Sequence, residues 1–168
     1  MTNKQLAFRT AVEGIIKKLK LRNMEGYFFE DSASCVKAIT DLMEEGSTIS
    51  WGGSESIKEC GLMEAIKSGN YTLIDRTTAK TPEESRELYV KAVLSDYYLM
   101  STNAITYDGE LINIDGNGNR VACLIHGPKT IIMVVGMNKL VSVAQSGCAR
   151  VRNVSASANA QRLTRNTP

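Results

Sequence analysis

The chain has 168 residues, 43% hydrophobic and 23% charged, the balance of an ordinary globular protein and not of a disordered one. That length suits one domain, 1–168, built on one core. Its 20 Lys and Arg against 18 Asp and Glu leave a net +2, too even for a dedicated binder of nucleic acid or another polyanion. The longest apolar stretch, 130–137, falls far short of the ~20 residues a membrane span requires. The first ten residues lack the apolar region of a signal peptide. A cytoplasmic protein with no nucleic-acid and no membrane partner is expected, and an oligomer is left open.

Phe8, Val12, Ile15 and Leu19 recur at helical spacing, with Lys17, Lys18 and Lys20 off that face, which predicts an amphipathic first helix. Residues 24–30 are short and aromatic and read as a strand. Asp31 or Ser32 can cap a second helix with Cys35, Ile39 and Leu42 or Met43 inward, and Gly46 ends it. A strand at 48–51 runs into Gly52-Gly53-Ser54, and one helical segment is predicted over 55–67. Ser68-Gly69-Asn70 is a turn before a strand at 71–75. Thr81-Pro82-Glu83-Glu84 sets a hydroxyl at the N-cap, proline at the first helical position and glutamate at the third, a capping box. The helix it starts turns Leu88, Ala92 and Ser95 inward, and 97–100 follows as an interior strand. This alternation argues a largely parallel sheet.

The pattern then changes. Strands at 104–106 and 110–114 flank the Tyr107-Asp108-Gly109 turn. Asn117-Gly118-Asn119 is a second turn, leading to a strand at 121–125. Residues 130–135, the most apolar run, read as a central strand. From 138 to 163 the chain reads as helical, with Leu140, Val143, Ala144 and Cys148 inward. The expected fold is α/β: an open, mostly parallel sheet flanked by helices on both faces, with an antiparallel meander inserted around 103–125.

The four cysteines, Cys35, Cys60, Cys123 and Cys148, form no Cys-x-x-Cys pair and read as reduced, mostly buried thiols. No metal site is expected, because metal ligands cluster. The single histidine, His126, rules out a multi-histidine centre in one chain, but histidine is the commonest general acid or base, and His126 stands as a candidate for that role.

Two stretches can carry a ligand. Strand, glycines and helix at Gly52, Gly53, Ser54 and Ser56 offer backbone N–H groups, close approach and hydroxyl donors to an anion. A tight strand-to-helix turn capped by Ser54 explains the same residues. The second stretch holds Thr102, Asn103, Asn113, Asp115, Asn119 and Arg120, and Arg120 can grip a carboxylate or phosphate bidentately. Asn, Asp and Gly are also what tight turns select. Thr102 and Asn103 directly follow a strand, as Gly52 does, and ligands of open α/β sheets bind beyond the carboxyl ends of strands. Glu55 and Asp115 are candidate carboxylate nucleophile or base, although a helix start and a turn also account for them.

The string Asn103-Ala104-Ile105-Thr106, then Asn113-Ile114-Asp115-Gly116, then Gly118-Asn119-Arg120 resembles the LUD-domain family, which includes the lactate-utilisation protein C group. His126-Gly127-Pro128 through Gly136-Met137-Asn138-Lys139, the Gly52-Gly53-Ser54 turn and Asn159-Ala160-Gln161-Arg162-Leu163 match in order and spacing, so the resemblance covers nearly the whole chain. It implies the fold of the ribose-phosphate isomerase, glucosamine-phosphate deaminase and CoA-transferase-like superfamily, whose members bind sugar phosphates, CoA thioesters or folates at strand ends. It also implies a place in converting L-lactate to pyruvate beside an iron–sulfur oxidoreductase partner. Two departures stand out. Trp51 sits where many members carry a smaller or phenylalanine-type residue. Members close to this sequence also continue into a cysteine-rich tail, whereas this sequence stops at Pro168. No cofactor is evident, and an iron–sulfur cluster is expected only in such a tail or in a partner.

The function expected is therefore that of an LUD-domain protein of lactate-type organic-acid metabolism, binding a small anionic metabolite beside an iron–sulfur oxidoreductase subunit. The alternatives are a stand-alone sugar-phosphate isomerase with Asp115 as base, a CoA or acyl transferase with Glu55 as nucleophile, or a ligand-binding module without chemistry.

Overall fold

A computed structural model describes residues 2–162. In chain order its main elements are α1 (Asn3–Lys20), α2 (Ser32–Leu42), β1 (Thr48–Trp51), α3 (Glu55–Glu59), α4 (Leu62–Ser68), β2 (Thr72–Ile74), α5 (Pro82–Val93), β3 (Tyr97–Met100), β4 (Ala104–Thr106), β5 (Leu111–Ile112), α6 (Asn119–Ile125), β6 (Thr130–Met133), β7 (Leu140–Val141), α7 (Ala144–Arg150) and α8 (Ser157–Arg162). They divide into two compact units. The larger comprises Phe29–Ser101 and Asp115–Val135, and the other draws its described residues from Met1–Phe28, Thr102–Ile114 and Gly136–Pro168.

The larger unit is the expected α/β layer structure. Its four strands run parallel in the order β2-β1-β3-β6. Alternating side chains of a strand point to opposite faces. Leu99, with Ile49 of β1, joins Ile39, Ile57, Leu62 and Ile66 from α2, α3 and α4 on one face. Tyr98 and Met100 meet Cys123 of α6, with Tyr89 and Val93 of α5 packed beside them, on the other. Ile49 and Leu99 are wholly buried; such burial contributes ~1.5–3 kcal/mol per side chain.

The helix starts are local in origin. The Asp31 carboxylate accepts the Ser34 N–H at 2.8 Å to begin α2. Thr81 accepts the Glu84 N–H at 3.2 Å to begin α5, with Pro82 at its first turn. The Glu84 carboxylate reaches back to the N–H of Lys80, at 2.6 Å, one residue beyond the partner of a regular capping box.

Several expectations are corrected. The helix predicted over 55–67 is two helices, because Gly61 takes the left-handed conformation, φ +84°, between α3 and α4. The strand predicted at 121–125 is helix α6, which is anchored by the buried Cys123. The antiparallel pairing of the inserted region is confined to β4 and β5. Residues 130–135 do not form a central strand: β6 pairs with β3 alone among the described strands. It is apolar because both its faces are covered, Ile132 and Val134 against one core cluster and Ile131 and Met133 against the other.

In the other unit, β4 pairs antiparallel with β5 and parallel with β7. The turn joining β4 to β5 has Gly109 at φ +75°, where a side chain would press on Leu19 of α1. Arg22 donates to the Asp108 carbonyl at 2.6 Å and to that of Lys18 at 3.1 Å, tying the same turn to α1. The strand expected over 24–30 does not form. Gly26 instead lies close against Ile16 and Leu19, a contact that a Cβ would occupy. The single helix expected over 138–163 is a 3-10 turn, β7, α7, a π-helical stretch at Val151–Ala156 and α8; Leu163 lies outside the described residues.

Candidate functional site

The carboxyl ends of β1, β2 and β3 and the start of α6 meet within the larger unit. β1 ends at Trp51, and the Gly52 N–H donates to the Leu99 carbonyl at 2.9 Å, extending the ladder by one bond. Arg76 follows β2 on a 3-10 turn, Arg76–Thr78, that Asp75 caps by accepting the Thr77 N–H at 2.9 Å. The Arg76 guanidinium turns back and donates to the Trp51 carbonyl at 2.8 Å. Arg120 is the second residue of α6, and its guanidinium donates to the Ser101 carbonyl that follows β3, at 2.8 Å. Its aliphatic stem crosses Gly52: a Cβ there would stand 3.1 Å from Arg120 Cδ and 3.5 Å from the Tyr98 hydroxyl. The glycine is thus required by close approach, not by its backbone conformation.

Tyr98 is completely buried in the middle of β3. Burial pushes its phenol up to about 12, opposed by the charges of Arg76 and Arg120 and reinforced by Cys123 and Asp115. Burial likewise presses the Arg120 pKa down, against the neighbouring Asp115 and Tyr98. A guanidinium keeps its proton through such a change, so the site holds two cations. The Tyr98 hydroxyl, Arg76 Nε and the Ser54 hydroxyl are buried without a hydrogen-bond partner of normal geometry. The Tyr98 hydroxyl interacts with the Cys123 thiol, a weak partner for it.

The expected site residues separate as follows. Gly52, Gly53, Ser54, Ser56, Glu55, Asp115, Asn119, Arg120 and His126 belong to the larger unit, and Thr102 and Asn103 to the other. Ser54 precedes α3 but makes no side-chain cap bond. Ser56 lies in the first turn of that helix, which has only 5 residues and so a weak dipole; the positive charge of the site comes from arginines. Glu55 pairs with Lys58 on the surface at 3.3 Å. Asp115 accepts the N–H groups of Arg120 and Val121, and Asn119 is the first residue of α6. His126 is the exposed C-cap residue of α6. That places it about 9 Å along the helix axis from Arg120, on the side where β6 begins. Thr102 lies 2.9 Å from the Ala104 carbonyl and 3.0 Å from that of Ile112. Asn103 accepts the Ile114 N–H on its side-chain oxygen at 3.0 Å and the Arg150 guanidinium on its carbonyl at 2.5 Å.

Arg76 and Tyr98 escaped the sequence reading. Arg76 had a usable signal, since it stands two residues past the end of a strand, where ligands of α/β sheets collect. Tyr98 had none, because an aromatic residue inside a strand reads as core. Of the cysteines, Cys123 is buried, Cys35 and Cys60 are half-buried, Cys148 is exposed, and none is in a disulfide. Among the described residues no group of three or more His, Cys, Asp or Glu side chains can hold a metal ion. No helix among them is long and apolar enough to cross a membrane.

The larger unit, a parallel sheet with helices on both faces and arginines gathered at its carboxyl edge, makes this an α/β protein. The chain belongs to the LUD-domain family, whose model matches residues 12–168. That family is related to lactate utilisation. A comparison with curated proteins found no match.

Proposed function

We propose that the protein serves lactate-type organic-acid metabolism, binding a small anionic metabolite at the carboxyl edge of β1 and β3 and working beside an iron–sulfur oxidoreductase. The observation that carries this reading is the contact between Gly52 and the Arg120 stem, which brings together the glycine turn and the arginine, two stretches distant in sequence. Membership of a family related to lactate utilisation supports the choice of metabolism. The two carboxylates that an isomerase or transferase would recruit are otherwise engaged, Glu55 with Lys58 and Asp115 with the backbone of α6. This favours binding over stand-alone carboxylate catalysis.

Calorimetric titration of the protein with L-lactate, pyruvate and inorganic phosphate tests the ligand. Saturable binding that Arg120→Lys weakens is the expected result, because lysine lacks the guanidinium fork. Binding that Arg120→Lys leaves unchanged would move the site elsewhere. For the partner, the expected result is co-purification with an iron–sulfur oxidoreductase from cells grown on lactate, and its absence under those conditions would sink that part of the reading.

A further inference from the structure

Resting on the reading that this edge takes a small anion, we infer that Arg76 and Tyr98, together with Ser54, form its oxyanion-binding face. Each donates one hydrogen bond to a single carboxylate or phosphoryl group.

The inference starts from three side-chain atoms. Native proteins leave few buried polar groups without partners, and each one calls for an explanation. Here Ser54 Oγ, Arg76 Nε and Tyr98 Oη are all buried and all lack a partner of normal geometry. Each atom carries an N–H or O–H, and an arginine Nε can only donate. The group missing is therefore an acceptor, and an oxyanion supplies several lone pairs at once.

Arg76 and Tyr98 both lie against the turn that carries Ser54. Arg76 is held to the Trp51 carbonyl at 2.8 Å, so its guanidinium plane is fixed by the residue before Gly52. The Tyr98 hydroxyl is 3.5 Å from the point a Gly52 Cβ would occupy. Ser54 stands two residues further along the same turn. The charges agree. Arg76 and Arg120 both act on the Tyr98 hydroxyl, while Asp115, the acidic side chain acting on it, is spent on the N–H groups of α6. The positive charge of Arg76 beside these donors suits an anion.

Tyr98→Phe is the decisive variant, since it removes one oxygen and keeps the ring. Binding of L-lactate and of inorganic phosphate would be measured by calorimetry on the unaltered chain, Tyr98→Phe, Arg76→Lys, Arg120→Lys and the remote surface variant Lys91→Ala. Melting temperatures would be taken without either probe. Tyr98→Phe is expected to lose about tenfold in affinity for whichever probe binds, the equivalent of one hydrogen bond. Its unliganded melting temperature should hold or rise, because the orphaned hydroxyl is gone. Arg76→Lys should lose at least as much affinity, and Lys91→Ala none. Lactate alone would assign the oxyanion to a carboxylate and phosphate alone to a phosphoryl group, and either supports the inference. Affinity intact in Tyr98→Phe and Arg76→Lys but lowered in Arg120→Lys overturns this inference and leaves the proposed function standing. No binding of either probe by the unaltered chain at millimolar concentration overturns both.

Discussion

One carboxylate oxygen of Asp115 accepts the backbone N–H of Arg120 at 2.7 Å and also that of Val121 at 2.9 Å. The N-cap residue of α6 is Gly118, which has no side chain to do this. Asp115 therefore caps the helix from three residues further back, and the same bond sets where Arg120 starts. Asp115→Ala should cost ~1 kcal/mol of stability, the usual value of a lost cap, and weaken anion binding with it. Asp115→Asn keeps an acceptor oxygen and should retain most of both. Thermal unfolding and calorimetry on the pair separate cap from catalyst: a base would be lost equally in the two variants.

Gly52 is tested by its neighbour. A methyl group there would stand 3.1 Å from Arg120 Cδ, tighter than ordinary contact. The Gly52 backbone is not in the left-handed region, so Gly52→Ala should fold. The expected outcome is a stem displaced by a few tenths of an ångström and an anion affinity lowered with little change in melting temperature. A Gly52→Ala protein that binds as well as the original would show that the contact has no role in the site.

Asp96 sits where the amino ends of β1, β3 and β6 meet. It accepts the Thr48 N–H at 2.9 Å, the Thr48 hydroxyl at 2.6 Å and the Lys129 ammonium at 2.6 Å. The Lys129 bond, then the Thr48 bonds, hold its carboxyl far below the ordinary 3.8. A carboxyl whose folded pKa is depressed stabilises the fold above the unfolded pKa and loses that contribution as pH falls through the folded one. Asp96→Asn should therefore melt lower than the original protein at neutral pH, with the gap closing below about pH 4. A gap of equal size from neutral pH down to pH 2 would show that charge is not what Asp96 supplies.

Asn103 discriminates turn from ligand. Its side-chain oxygen accepts the Ile114 N–H at 3.0 Å, a bond that aspartate can also accept. Asn103→Asp should keep the melting temperature nearly unchanged. Asn103→Leu leaves that N–H without its acceptor and should cost ~1–3 kcal/mol. If Asn103→Asp also binds lactate or phosphate as well as the original, Asn103 is structural; a large loss of affinity at unchanged stability would show that it acts on binding.

What could be read from the chain was what neighbours in sequence decide. Thr81-Pro82 announced α5, Asp31 announced α2, and the run from Trp51 to Ser54 announced the strand-to-helix turn at the carboxyl edge. Residues 121–125 read as a strand because Val121, Leu124 and Ile125 suit one, while the helix depends on Asp115, outside it, and on the burial of Cys123. The candidate site was half legible for the same reason. Gly52 and Arg120 carry local signals of turn and charge. Arg76 acquires its meaning only when β2 lies beside β1, and Tyr98 only when Gly52 leaves room above its hydroxyl.

The order of segments along the chain has a consequence for synthesis. The larger unit is interrupted between Ser101 and Asp115, so β6, which covers the outer edge of β3, leaves the ribosome well after the strand it pairs with. At ~5–20 residues per second, the edge of β3 waits several seconds at most for residues 130–133. During that interval Tyr98 and Met100 lack Ile131 and Met133 of β6, which complete their side of the core. Nascent chains arrested with residue 115 just clear of the exit tunnel should therefore recruit chaperones, whereas chains arrested with residue 135 clear of it should already hold a protease-resistant sheet.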